Sequence, residues 1–377
     1  MTLQNPEKAM SAKTTVRMGV VGVGNMGSAH ARSILAGHIP GASLAAVCDL
    51  QVDRTAGFGD AACFEDSEAM FTSGLVDAVV IAVPHPFHAS LGQAALRAGL
   101  EVLMEKPLAV HKGEALELIA ASEGRVFAAM FNQRTDPWFL KVRELVRGGE
   151  IGPIRRFTWT ITDWFRTHAY YRSSPWRASW NGEGGGVLLN QAVHNLDLLQ
   201  WIFGMPSKVR AVCGFGKFHP IEVEDEVTAL LAYADGASGV FITTSGEAPG
   251  LNRLEIAGDN GLLILDGQSL HFRKNEISTP EFSRTCKTGY ERPPVEEIEI
   301  ALPAGRGPQH EGILRNFVNA ILHGEALIAP GAEALPSLEL TNAILMSAVE
   351  DRTIDLPLSA PDFSRILQEL QSQSKFQ

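Results

Sequence analysis

Short continuous apolar runs alternate with segments of helical spacing through the first third of the chain. From Val16, "VRMGVVGVGNMGSAHARSILAG" predicts a strand, a glycine-punctuated turn and a helix. Further strands are predicted in "SLAAVCDL", "DAVVIAVP", "EVLMEKP" and "VFAAMFNQR", with helices in "FHASLGQAALRAGL" and "GEALELIAASEG". Such alternation predicts a parallel sheet covered on both faces, with ligands beyond the carboxyl ends of its strands. Those ends carry "PHPFH", "EKP" and "NQR".

The pattern changes after Arg134. A helical segment, "DPWFLKVRELVRGGEIGPI", is followed by "IRRFTWTITDWF", "EVTALLAYADG", "ASGVFITTSG" and "RLEIAGDNGLLILDG", which predict successive strands and hairpins. Between them "GGGVLLNQAVHNLDLLQW", residues 184–201, opens with three glycines and then predicts an apolar helix. Its period places Asn190, His194, Asp197 and Trp201 on one stripe.

Composition narrows the partners. A chain of 377 residues with 45% hydrophobic content exceeds what one core usually holds, so two domains are expected. A formal charge of -11 without a basic block argues against nucleic acid or an anionic membrane and favours a small-molecule partner. No apolar stretch is long enough for a membrane span, and the N-terminus reads as a flexible leader lacking a secretory core. A soluble cytoplasmic protein is expected, and four scattered cysteines suit a reducing compartment.

The turn after the first strand is a full G-x-G-x-x-G: Gly22, Val23, Gly24, Asn25, Met26, Gly27. In that motif the first glycine permits a tight turn, the second lets backbone approach a pyrophosphate, and the third lets helix pack on strand. Asp49 ends the second predicted strand, 22 residues after Gly27, close to the spacing of an acid that binds the adenosine ribose. Such an acid accepts from both ribose hydroxyls and repels a 2'-phosphate, so NAD is favoured over NADP. The alternative for Asp49 is a turn or cap residue.

With "AVPHPFH", "ALRAGLEVLMEKPLA", "NQR", "GGEIGPI", "GGGVLLNQAVHNLDLL" and "SLELTNAILMSAVEDRTIDLPL", the chain resembles the glucose-fructose oxidoreductase and inositol dehydrogenase (Gfo/Idh/MocA) family over nearly its whole length. The resemblance implies an α/β fold: a Rossmann domain, then an α/β domain with a large, open, mainly antiparallel sheet. Motif order sets the expected division at 1–135 and 136–377. Pairing of sheet faces into a homo-oligomer, dimer or tetramer, is also implied.

The resemblance further implies an NAD-dependent dehydrogenase acting on a sugar, sugar derivative or inositol. Lys106 would polarise the hydroxyl, His194 would accept its proton, and Asn190 would orient the substrate or His194. Most family members carry aspartate at the position of Asn190. Pro84, His85, His88, Glu105, Lys106 and Gln133 would line the dinucleotide along with Gly22, Gly24, Asn25, Met26, Gly27 and Asp49. Substrate contacts would come from Lys106, Arg134, Tyr171, Trp176, Arg177, Asn190, His194 and His310, with Arg156, Arg166, Arg172 or Arg177 able to hold one acidic group.

Each residue has a plainer reading. Lys106 could be a surface charge, His194 a core histidine, and the Tyr171 to Arg177 cluster an anchored loop. Asp197 could pair with His194 or serve structure alone. The spacing of His85 and His88 is too weak to predict a metal site. Two other functions fit the same fold: glycoside cleavage through a transient ketosugar, and a dinucleotide-binding sensor without catalysis.

Overall fold

The computed structural model describes residues 14–174, 176–267 and 269–375. The leader expected at the N-terminus falls outside them. The apolar runs of the first third form six strands: β1 (Val16–Val21), β2 (Ala42–Cys48), β3 (Ala62–Phe64), β4 (Ala78–Ile81), β5 (Glu101–Met104) and β6 (Phe127–Ala129). They pair in parallel in the order β3-β2-β1-β4-β5-β6. The order reverses between β1 and β4, which opens a crevice at their carboxyl ends.

Helices α1 (Asn25–Leu35), α2 (Ser67–Thr72), α3 (His88–Arg97) and α4 (Lys112–Ala121) cover this sheet. Helix α1 buries Gly27, His30, Ala31 and Ile34, the i, i+3, i+4, i+7 stripe of a core-facing helix. The following helix, α5 (Pro137–Arg147), starts where Asp136 caps the Trp138 amide and Pro137 fixes the first turn.

The second sheet has nine strands: β7 (Ile154–Ile161), β8 (Lys208–Phe215), β9 (Glu224–Ala232), β10 (Ser238–Thr244), β11 (Asn252–Gly258), β12 (Gly261–Asp266), β13 (Ser269–Asn275), β14 (Val295–Glu299) and β15 (Ile354–Asp355). Their order is β14-β13-β12-β11-β7-β10-β9-β8-β15, antiparallel throughout except for the parallel pair β7 and β10. Alternation of buried and exposed positions along β9 shows one covered face and one open face.

Two short helices, α6 (His168–Arg172) and α8 (Thr279–Thr285), lie in connections. Four longer helices are α7 (Val193–Phe203), which packs on α5 and α10, then α9 (Gln309–His323), α10 (Leu335–Glu350) and α11 (Ala360–Ser372). Helix α9 returns to pack on α1, β1 and β5, while α10 lies between β8 and α4 and is buried almost all round.

Two predicted elements end differently. The run "VFAAMFNQR" is a strand only to Ala129; Asn132 to Thr135 form a single 3-10 turn that carries the Arg134 side chain inward. The stretch over residues 184–201 becomes an α-helix only at Val193. Before it, Gly184 takes φ +79°, and the Glu224 carboxylate accepts the amides of Gly186 and Leu188. The Ala192 amide then reaches five residues back to Val187, widening the last turn and breaking a continuous helical phase.

Candidate active site

The glycine turn follows β1 directly. Gly22 has φ +83° and donates its amide to the Cys48 carbonyl at 2.7 Å. A Cβ on Gly27 would lie 1.8 Å from the Gly22 carbonyl oxygen, whereas one on Gly24 would meet nothing within 4 Å. The third glycine thus permits packing, and the second leaves the backbone open to a ligand. Helix α1 begins there without a side-chain cap, leaving its first amides toward that opening, and Asn25 and Met26 are exposed in its first turn.

Asp49 stands just beyond β2, its carboxylate accepting from the Val23 amide at 3.0 Å and the Gln51 amide at 2.9 Å. An acid fixed over the glycine turn, an open second glycine and uncapped helix amides fit a dinucleotide with a free ribose diol.

The loops after β4, β5 and β6 form the rest of the crevice. Pro84 is half-buried beyond β4, and His85 is buried with its ring 5.1 Å from that of Trp176. Burial pushes the His85 pKa well below the ordinary value. Gln133 follows β6 with its Oε1 buried and unpartnered among the described residues.

Two expected cofactor neighbours are turned into the protein. His88 lies with Nδ1 2.6 Å from the Pro107 carbonyl and Nε2 2.8 Å from the Val83 carbonyl, and a neutral ring donates to one of the two. Glu105 takes His30 Nε2 at 2.7 Å and the Lys106 amide at 3.1 Å. Burial alone would raise the Glu105 pKa, but the His30 bond, with Lys106 and His310 nearby, brings it to about 2.

Lys106 crosses to the second half of the chain, its Nζ donating to the Asn190 carbonyl at 2.8 Å. A continuous helix would offer that carbonyl to the residue-194 amide. Burial lowers the Lys106 pKa, with Glu105 and Glu183 opposing the fall. His194, at the start of α7, is brought down to about 3 by burial and by the charge of Lys106. It is neutral near physiological pH, and its Nδ1 is buried without a partner among the described residues.

Asp197 does not pair with His194. It makes a two-point ion pair with Arg134, at 2.7 and 2.8 Å, and accepts from Gln200. Arg134 also binds Glu333 and lies 5.3 Å from the centre of the Trp201 ring. The expected substrate role of Arg134 is therefore corrected: its guanidinium is out of water and filled by protein acceptors.

Opposite the strand ends, the Arg177 guanidinium lies between the rings of Tyr170 and Trp176, 4.5 and 4.6 Å from their centres. Its Nη1 donates to the Tyr170 hydroxyl at 2.7 Å, while its Nε is buried and unpartnered among the described residues. Tyr171 bonds Ser245 through its hydroxyl at 2.7 Å, which leaves its ring as the surface it can offer. His310, half-buried, stacks at an angle against His30, 5.7 Å between centres. Arg166 donates to the Trp164 and Phe165 carbonyls, Arg156 lies on β7 near Glu255, and Arg172 is exposed.

Sequence reasoning passed over Glu183, Tyr170 and His30. A signal for His30 existed: it falls on the core-facing stripe of α1, where a polar residue needs a partner. Glu183 stands alone as an acid before three glycines, and an ionisable group in so apolar a stretch is a candidate for a buried, bonded charge. Tyr170 gave no signal, because its hydroxyl joins Arg177 to Gln191 only in three dimensions.

Comparison with known proteins gives a match of residues 16–131 to the model for the oxidoreductase family with an NAD-binding Rossmann fold. Residues 139–264 match that for the GFO/IDH/MocA C-terminal domain. Inositol 2-dehydrogenase of Rhizobium meliloti is 26% identical over 358 residues, covering 91% of this chain and 99% of the relative. Inositol 2-dehydrogenase of Acidothermus cellulolyticus is 30% identical over 268 residues, covering 68% and 74%. Among solved structures, the WlbA dehydrogenase from Bordetella pertussis in complex with NADH and UDP-GlcNAcA has a TM-score of 0.76 at 27% identity, covering 92% of this chain and 100% of that one.

Proposed function

Because the chain belongs to the GFO/IDH/MocA family of NAD-binding oxidoreductases, we propose that it oxidises a secondary hydroxyl of a sugar, sugar derivative or inositol to a ketone or lactone. The observation that carries this reading is a half-buried lysine beside a neutral histidine whose Nδ1 has no partner among the described residues. Alcohol oxidation needs those two functions together: a cation for the developing alkoxide and a base for its proton.

Bound NAD, held by the glycine turn and Asp49, supplies the hydride acceptor. Lys106 stabilises negative charge on the substrate oxygen as its proton leaves. His194 takes that proton, entering the reaction neutral because burial and the adjacent lysine disfavour its charged form. Asn190 acts through its main chain, orienting Lys106. Trp176 offers a ring to the apolar face of a cyclic polyol, and Arg177 offers its unpartnered Nε to a hydroxyl or a single acid.

A homo-oligomer belongs to the same proposal. Val212 and Leu230 are 70% and 55% exposed on the open face of the second sheet, an apolar surface that a second copy would cover. Light scattering after size exclusion gives the mass.

The function is tested by following NAD and NADP reduction across inositols, aldoses, sugar acids, nucleotide sugars and glycosides. Reduction of NAD with at least one cyclic polyol is expected. Normal NAD binding with no turnover across the whole panel would abandon the dehydrogenase reading. Glycoside cleavage without net NADH release would replace it with transient oxidation.

A further inference from the structure

Glu183 is a buried carboxylate with a side chain only 2% exposed. Its oxygens accept from the Ala178 amide at 2.8 Å and from the Asn190 side-chain amide, and Arg177 Nη1 lies 3.9 Å away. Both hydrogen-bond partners donate and the third neighbour is a cation, an arrangement that suits an ionised carboxylate and opposes the rise in pKa that burial brings to Glu183. Ala178 itself is held at φ +65°, a conformation uncommon outside glycine, with its amide on Glu183. A buried charge is costly unless its surroundings compensate it, and here two amide donors and a nearby guanidinium do so.

Asn190 links that anion to the proposed active site. Its carbonyl accepts from the Lys106 ammonium and its side-chain amide donates to Glu183. Resting on the dehydrogenase reading above, we infer that Glu183 is the positioning residue of the site, fixing Asn190 beneath Lys106 and supplying the counter-charge that keeps Lys106 an ammonium. The other acid acting on Lys106, Glu105, is bonded to His30. Arg166 and Arg177 oppose the ammonium. Burial lowers the pKa values of His85, His88, His194 and His310, so these rings oppose the ammonium less than charged imidazoles would.

The test reads Lys106 without any substrate. Trace acetylation by acetic anhydride across a pH series, with peptide mass spectrometry, gives the pH at which the Lys106 amine becomes reactive. In Glu183→Gln that midpoint is expected to fall by about one pH unit or more. Moving the charge to the neighbouring side chain, in the double variant E183Q/N190D, is expected to return it to the wild-type position. An unchanged midpoint in E183Q, or a fall that the double variant leaves in place, overturns the inference.

If E183Q does not fold, the double variant decides alone: folded with a wild-type midpoint it supports the role, and unfolded or lowered it removes it. An absence of turnover on every polyol would sink the functional reading while leaving this titration intact. Turnover with an unshifted Lys106 would sink the Glu183 role alone.

Discussion

Arg134 and Asp197 meet through two hydrogen bonds, 2.8 and 2.7 Å, with both side chains withdrawn from water. Removing one partner strands the other charge in the core. Arg134→Met is expected to cost about 3–5 kcal/mol of stability, read from urea unfolding. Substrate KM in the folded variant should be unchanged. Normal stability with a tenfold higher KM would return Arg134 to the substrate site.

The glycine turn separates packing from ligand approach. Gly27→Ala is expected to destabilise the fold, because its Cβ would collide with the Gly22 carbonyl. Gly24→Val is expected to melt near the wild-type temperature yet lose at least tenfold in NAD affinity, since its side chain would fill open space. Calorimetric titration of both, beside their thermal melts, distinguishes these outcomes.

Asp49 holds the Val23 amide over the glycine turn, and the proposed NAD site would set its ribose diol beside this carboxylate. Asp49→Ala should lower the ratio of kcat/KM for NAD over NADP by tenfold or more, a loss of ~1.4 kcal/mol in discrimination. An unchanged ratio would leave Asp49 as a turn residue only.

Lys106→Met and His194→Ala should each lower kcat by about 10² or more, with NAD affinity retained. Near-normal turnover in both removes the roles assigned to them.

His194 also makes stability depend on pH. Its folded pKa of about 3 lies below an unfolded value of ~6.5, so the folded state binds fewer protons between these limits. Its contribution is complete above pH ~6.5 and is lost as pH falls toward 3. Unfolding free energies between pH 6 and 4 should fall less steeply in His194→Gln, by up to ~1.4 kcal/mol per pH unit. Parallel slopes would show that His194 titrates alike in both states.

The first sheet was legible because fully buried parallel strands leave apolar runs and helices leave a 3.6-residue stripe. The second was legible as hairpins, and the parallel β7 and β10 pair was not, because pairing partners far apart in sequence leave no local trace. At the site, the motifs singled out Lys106 and His194, and the fold brings them close enough for the lysine charge to act on the imidazole. The polar stripe proposed for residues 190–201 dissolved: Asn190 precedes the helix, and Asp197 turns to Arg134, a residue 63 positions away. Glu105 and His88 kept the right neighbourhood but the wrong direction, since motif spacing says where a residue sits and not which way its side chain faces.

The return of α9 and α10 to the first sheet has a consequence for autonomy. Ile313, Leu314 and Phe317 are buried on a helix that packs against β1 and β5, and Lys112 binds both Glu339 and the Leu358 carbonyl. A nucleotide-binding half cut free after residue 135 would lose its own lining and expose it to water. The chain has two sheets and two family signatures, but its interior is shared property, so the halves should melt together.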